Sequence, residues 1–177
     1  MPSSSSAAHS ELDDPWSWLA SAIERTYHQN EDLWRFKVGE RARVAQIFLQ
    51  LRYLVPDRWN VDCEYNRHGE NDPKRQSDTQ GRARRYGTPD LIIHRRGVKQ
   101  GAAGNLLVVE LKTDRSNLNA RSHDYRKVQY WMNRIEYQYG AVVSLGENLT
   151  DFAPKVLWFD HRLPLPRSAT PLRVLTQ

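Results

Sequence analysis

The tightest constraint on this chain is a pair of apolar runs of strand length, separated by a glycine-rich break. The first is TPDLIIHRRG, starting at Thr88; the second is NLLVVELKTD, ending at Asp114. Turn formers cluster between Gly97 and Gly104, so the two runs are expected to pair as a hairpin. Side chains alternate faces along a strand, which puts Glu110 and Lys112 on one face and Leu111 on the other. Pairing also brings Asp90 beside Glu110, because both lie at the same end of the hairpin. Two carboxylates and an ammonium group then converge at one edge of a sheet.

Like-charged carboxylates repel, and each resists leaving water. A divalent cation between them relieves both problems. Asp and Glu oxygens are hard ligands suited to Mg²⁺, with Mn²⁺ as the alternative; Mg²⁺ keeps several waters and takes one or two carboxylates plus substrate phosphate. A lysine beside such a pair can position the attacking water and balance phosphate charge. This is the equipment of metal-assisted phosphodiester hydrolysis. A plainer reading has Asp90 capping a turn and Glu110 and Lys112 ending a strand in solvent. The placement of the motif on two consecutive apolar strands favours the chemical reading.

Pro89-Asp90…Glu110-Leu111-Lys112 resembles the signature of the PD-(D/E)XK nuclease superfamily, the restriction-endonuclease-like fold. The surrounding words, VDCEYNRHG at Val61 to Gly69, TPDLIIHRRG and NLLVVELK, resemble a subgroup of small bacterial proteins of that superfamily without assigned function. The resemblance covers roughly Gly39 to Leu145. It implies an α/β fold with a mixed central sheet flanked by helices and a core order of helix, three strands, helix, strand. It also implies Mg²⁺ held by Asp90 and Glu110, with the Leu111 carbonyl as a further ligand, and Lys112 acting on the attacking water and the scissile phosphate.

With 177 residues, six Trp and eight Tyr, the chain can build a real core as one domain, expected over residues 13–177 after a polar tail at 1–12 that carries four consecutive Ser. No run reaches membrane-span length, and the N-terminus lacks the apolar core of a signal peptide. The single cysteine, Cys63, excludes an internal disulfide and a Cys-rich zinc site, and suits a reducing cytoplasm. Its alternating surroundings make it a small core residue rather than a catalytic thiol. A net charge of +5 and a pI near 9.5 fit a polyanionic partner.

In chain order, Asp13-Asp14-Pro15 signals a helix start, with a helix to about His28 that buries Trp18, Leu19 and Ile23. The WRFKVG segment at Trp34 to Gly39 is ambiguous between helix and extended chain. From Glu40, the stripe Val44, Ile47, Phe48, Leu51 and Val55 predicts a second helix stopped by Pro56. Glu40 continues that stripe toward the helix N-terminus, where the dipole alone would favour it. The family resemblance adds a role facing the metal, for which Glu24 is the second candidate. Trp59 to Tyr65 alternates and predicts a strand with Trp59, Val61, Cys63 and Tyr65 on one face. Asp62 and Glu64 fall on the other face, solvated or paired with basic residues.

Arg67 to Tyr86 is a long polar connection with no hydrophobic period. Arg67, Lys74, Arg75, Arg82, Arg84 and Arg85 make it either a solvated insertion or a phosphate-gripping arm. After the motif, a helix is expected from Asn119 or Ser122 to about Tyr137, with Val128, Trp131 and Ile135 inward. Asp124 and Lys127 lie at its end nearest the motif. The resemblance makes Lys127 a site candidate, with Gln129 behind it, while a solvated helix start explains both residues without a site. Strands follow at Gly140–Leu145 and Lys155–Phe159, and a Pro-rich irregular end after Asp160. The six His show no metal-ligand spacing, and His94 and His123 read as structural.

The expected function is metal-dependent cleavage of nucleic-acid phosphodiesters, DNA before RNA, in a cytoplasmic protein with no membrane partner. A protein partner or a second copy of the chain is a further candidate. The rival is a catalytically silent nucleic-acid-binding or protein-interaction domain of the same fold, working within a defence or repair complex.

Overall fold

The computed structural model describes residues 13–65, 88–98, 101, 103–113, 118–146 and 154–162, and also four two-residue strands between residues 67 and 84; for those strands and for residues 118–122 it describes the backbone alone. The expected tail at 1–12 and the Pro-rich end beyond Arg162 lie outside the described residues.

Helix α1 spans Pro15–Gln29. Asp14 caps it, accepting a hydrogen bond from the Ser17 N–H at 3.0 Å, and Pro15 occupies the first turn, where its missing N–H costs nothing. Leu19, Ala22 and Ile23 are buried, with Trp18 half-buried beside them. The ambiguous segment after it contributes the end of one helical turn, α2 (Asp32–Arg35), which buries Trp34. Helix α3 spans Glu40–Leu54, with Val44, Ile47 and Leu51 inward and Pro56 soon after its end. Arg43 is buried one turn into α3. Its guanidinium donates to the Leu33 carbonyl at 3.2 Å and to the Gly146 carbonyl at 3.1 Å, and lies over the Trp34 ring. Those bonds fix the start of α3 at the end of the sheet where Lys112 lies.

Strand β1 covers Asn60–Cys63. Trp59, Val61 and Cys63 pack together as expected, but Tyr65 joins the opposite layer. Glu64 takes a positive φ of 45°, which breaks the strand alternation before Tyr65 is reached. The long polar connection is not wholly irregular. Within it, β2 (Arg67–His68) pairs with β3 (Asp72–Pro73), and β4 (Gln76–Ser77) pairs with β5 (Ala83–Arg84). The side chains of Arg67, Lys74, Arg75, Arg82, Arg84 and Arg85 lie outside the described residues.

Strands β6 (Leu91–His94) and β7 (Asn105–Lys112) form the expected antiparallel hairpin. Helix α4 (Leu118–Ile135) crosses from β7 to its parallel neighbour β8 (Tyr139–Ser144), and β9 (Lys155–Asp160) returns antiparallel. Helix α4 stops two residues before the expected Tyr137, because Glu136 adopts a left-handed φ of 60°. The sheet order β1-β6-β7-β8-β9 puts β7 in the centre, where every residue but Lys112 is buried. Helices α1 and α3 cover one face, and α4 covers the other. The architecture is α/β, a five-stranded mixed sheet flanked by helices.

Helix α4 rests on bare backbone at β8. A Cβ on Gly140 would lie 2.5 Å from both Val128 Cγ1 and Met132 Sδ. Among the described residues no helix is long and apolar enough to cross a membrane.

Candidate active site

The hairpin register pairs Leu91 with Val109, so one step further Asp90 stands level with Glu110. Asp90 is fixed there by its side chain, whose Oδ2 accepts a hydrogen bond from the Leu111 N–H at 2.7 Å. Leu111 itself is fully buried in the core shared with α1 and α3, which follows from the alternation along β7.

Glu110 has 0% of its surface exposed, an unusual place for a carboxylate in the centre of a sheet. Lys127 comes to it from α4. Its Nζ donates to Glu110 Oε2 at 2.8 Å and to the Thr88 carbonyl at 2.9 Å. Glu110 Oε1 is equally near that ammonium, at 2.8 Å, but the angle is wrong for a hydrogen bond, and the atom has no such partner among the described residues. Burial, and then repulsion from Asp90, push the Glu110 carboxyl up to about 8, against the pull of Lys127 and Lys112. Asp90 is also raised above the usual carboxylate range by burial, although the Leu111 N–H and both lysines work the other way.

Lys112 leaves the half-exposed end of β7 and donates to Glu40 Oε1 at 3.2 Å. Burial works against its ammonium, but Asp90, Glu40 and Asp124 outweigh that and raise its pKa. Glu40, and not Glu24, is therefore the helix carboxylate that reaches the motif. Of the two α4 candidates, Lys127 enters the site, while Gln129 donates instead to the Tyr125 hydroxyl at 2.8 Å. The structure brings Asp90, Glu110, Lys112, Glu40 and Lys127 to one end of the hairpin.

Two further residues belong to this end. Asp124 is 5% exposed, and its Oδ2 is buried with no hydrogen-bond partner among the described residues. Ser144 stands beside Lys112 in the parallel register, and its Oγ is likewise buried and unpartnered. Sequence reasoning placed Asp124 near the motif but read it as a helix-start residue. Ser144 was passed over as part of an apolar strand; the signal available was a hydroxyl closing the run GAVVS.

The opposite end of the hairpin carries a second polar cluster. Asp62 binds Arg96 through both carboxylate oxygens, and Oδ2 also meets His94 Nε2 at 2.7 Å. Burial would raise the Asp62 carboxyl, but the His94 and Arg96 hydrogen bonds hold it down at about 2. Asp62 is thus paired with basic groups, and His94 is a packed structural residue whose ring lies 4.6 Å from that of Tyr65. Cys63 is held at about 11 by burial and neighbouring carboxylates, which leaves it inert as a nucleophile.

No family model, curated protein or solved structure matches this chain. What the site can do is therefore read from its own residues. Four carboxyl groups (Asp90, Glu110, Glu40 and Asp124) gather at this end with two ammonium groups, Lys112 and Lys127. Among the described residues no three His, Cys, Asp or Glu side chains are grouped closely enough to hold a metal by themselves. Mg²⁺ does not require three, because water and substrate phosphate complete its shell.

Proposed function

We propose that this chain is a metal-dependent nuclease of restriction-endonuclease-like fold that hydrolyses phosphodiester bonds, in DNA before RNA. The observation that carries the reading is Glu110. It is a carboxylate wholly buried in a central strand, beside a second raised carboxylate, with one oxygen left without a hydrogen bond. Lys127 pairs with this oxygen at 2.8 Å without a hydrogen bond, so its hydrogen-bonding capacity is open to a ligand. Perturbed carboxylates at a strand end mark a functional site.

Glu110 Oε1 and the Asp90 carboxylate fit a hard divalent cation, Mg²⁺ or Mn²⁺, with the Leu111 carbonyl as a third oxygen. Such an ion would supply Lewis acidity at the phosphate and offset the repulsion between Asp90 and Glu110. The chain's own residues supply the rest. The Leu111 N–H aims Asp90. Lys127 ties the Glu110 carboxylate to the backbone at Thr88, so that both strands of the hairpin hold one geometry. Glu40 orients the Lys112 ammonium, which is placed to stabilise charge developing on the scissile phosphate. The core order α3, β1, β6, β7, α4, β8 is the helix, three strands, helix, strand succession of that fold.

The second reading, a catalytically silent nucleic-acid-binding domain, draws on one observation: Lys127 already sits where a cation would neutralise Glu110. The two diverge on metal binding. Under the nuclease reading, calorimetry detects Mg²⁺, Mn²⁺ or Ca²⁺, and both Asp90→Ala and Glu110→Ala abolish the signal along with cleavage of DNA or RNA. A parent protein that binds none of these ions and cuts neither nucleic acid is the silent domain.

A further inference from the structure

Asp124 is the buried charged residue for which the proposed chemistry has so far found no use. Its side chain projects from α4 one turn before Lys127, from the same face, and is 5% exposed. Among the described residues, Oδ1 is approached at 3.7 Å by the His123 ring, whose own side chain is mostly in solvent. Oδ2 accepts nothing among the described residues. The carboxylate is close enough to Lys112 to contribute to holding its charge. Next to Lys112, in register on β8, the Ser144 hydroxyl is also unpartnered. A buried acceptor with no donor is destabilising, and burying a carboxylate this way is worse than burying a hydroxyl. Oδ2 lies at the end of the sheet that holds the lysine of the motif, where a water arriving with the substrate can donate to it.

We infer that Asp124 is a further catalytic residue, the acceptor that takes the proton of the attacking water, with the Ser144 hydroxyl holding that water against it. This rests on the nuclease reading above. Lys112 Nζ is engaged as a donor, to Glu40 Oε1 at 3.2 Å, whereas Asp124 Oδ2 is an acceptor with no hydrogen bond among the described residues. The work then divides. As the water oxygen bonds to phosphorus, its proton passes to Asp124 Oδ2. The bond from phosphorus to the leaving oxygen breaks, and that oxygen takes a proton from the Lys112 ammonium or from solvent. Asp124 afterwards returns its proton to bulk water, and Lys112 recovers one if it gave one. One water is consumed, and the products are one phosphomonoester end and one hydroxyl end.

The test uses the full chain under single-turnover conditions in Mg²⁺. Asp124→Ala is expected to lower cleavage by about 10² or more, the scale of a positioned proton acceptor. Its affinity for nucleic acid, measured by anisotropy in Ca²⁺, should stay at the parent value. Formate diffusing into the vacated space should restore cleavage in proportion to its concentration, while Lys112→Ala should show no such rescue. Asp124→Asn keeps the side-chain shape and should be as slow as the Ala variant; it serves if the latter fails to fold. A parental rate in either variant overturns the assignment. So does a loss that formate leaves untouched, which would make Asp124 a positioning residue for Lys112. A parent protein that cleaves no nucleic acid overturns the nuclease reading itself, a result distinct from an active parent with an active Asp124 variant.

Discussion

The two ends of the β6–β7 hairpin carry buried charge on the same face of one sheet and treat it in opposite ways. At the far end, Asp62 is gripped by Arg96 and His94, both carboxylate oxygens are satisfied, and the acid is held near 2. At the near end, Glu110 has an ammonium beside it yet is pushed up to about 8, and one of its oxygens has no hydrogen bond among the described residues. The chain can evidently satisfy a buried carboxylate with the residue types it has. Where it leaves one strained among like charges, the compensation is expected to come from a ligand. Functional sites commonly sacrifice local stability in this way.

The largest expected difference between the two ends is in rate. Lys112→Ala should slow cleavage by about 10² or more while sparing fold and metal binding, whereas Asp62→Ala should cut at the parent rate per folded molecule. Single-turnover assays on both variants decide this. Equal losses would erase the distinction between a working end and a structural one.

Stability should show the reverse order. Asp62→Ala leaves Arg96 and a buried His94 without their acceptor and should cost about 2–3 kcal/mol in urea unfolding. Lys112→Ala, at a half-exposed pair with Glu40, should cost less than about 1 kcal/mol.

The pH dependence should separate the ends by sign. Asp62 is lowered from 3.8 to about 2 in the fold. Its stabilisation is complete above the unfolded value and lost as pH falls through that range. Glu110 is raised from 4.5 to about 8. Between those values the unfolded chain has released a proton that the fold retains, so metal-free stability should fall as pH rises, by up to ~1.4 kcal/mol per pH unit. Chelator-treated protein melted from pH 3 to 9 should show both limbs, and Glu110→Gln should flatten the upper one alone. An upper limb that survives in Glu110→Gln belongs to another group.

The smallest effect should come from Glu40→Gln. It keeps an acceptor for Lys112 but removes one negative charge, so cleavage should fall by less than in Lys112→Ala. A loss as large as that of Lys112→Ala would move Glu40 into the chemistry.

The near end was legible in the sequence because its geometry is local. Alternation along one strand places Glu110 and Lys112 together, a short turn brings back Asp90, and the stripe of α3 aims Glu40. Lys127 entered through the family resemblance alone, because its approach to Glu110 runs across the α4 crossover and is not local. The far end was legible only in part: Asp62 reads as solvated or paired with basic residues and His94 as structural, but the partners themselves do not show. Asp62, His94 and Arg96 meet across strands more than 30 residues apart, and nothing in their own spacing signals the encounter. Tyr65 was misplaced because one left-handed residue, Glu64, reverses the faces of everything after it. The burial of Asp124 is a property of packing and leaves no mark in a one-dimensional pattern.

Gly140 also bears on how variants of this protein should be interpreted. The bare backbone there sets the separation between α4 and the sheet, because Val128 and Met132 touch the position a side chain would fill. Val128 is β-branched and stiff on a helix, so it cannot swing aside. A single methyl group would lift the helix, and with it Lys127 and Asp124 together, away from Glu110 and Lys112. A screen for inactive variants would then score Gly140→Ala as a defect of the reacting groups, although the altered residue touches none of them. Restoring activity with a smaller residue at Val128 or Met132 would identify the fault as one of thickness.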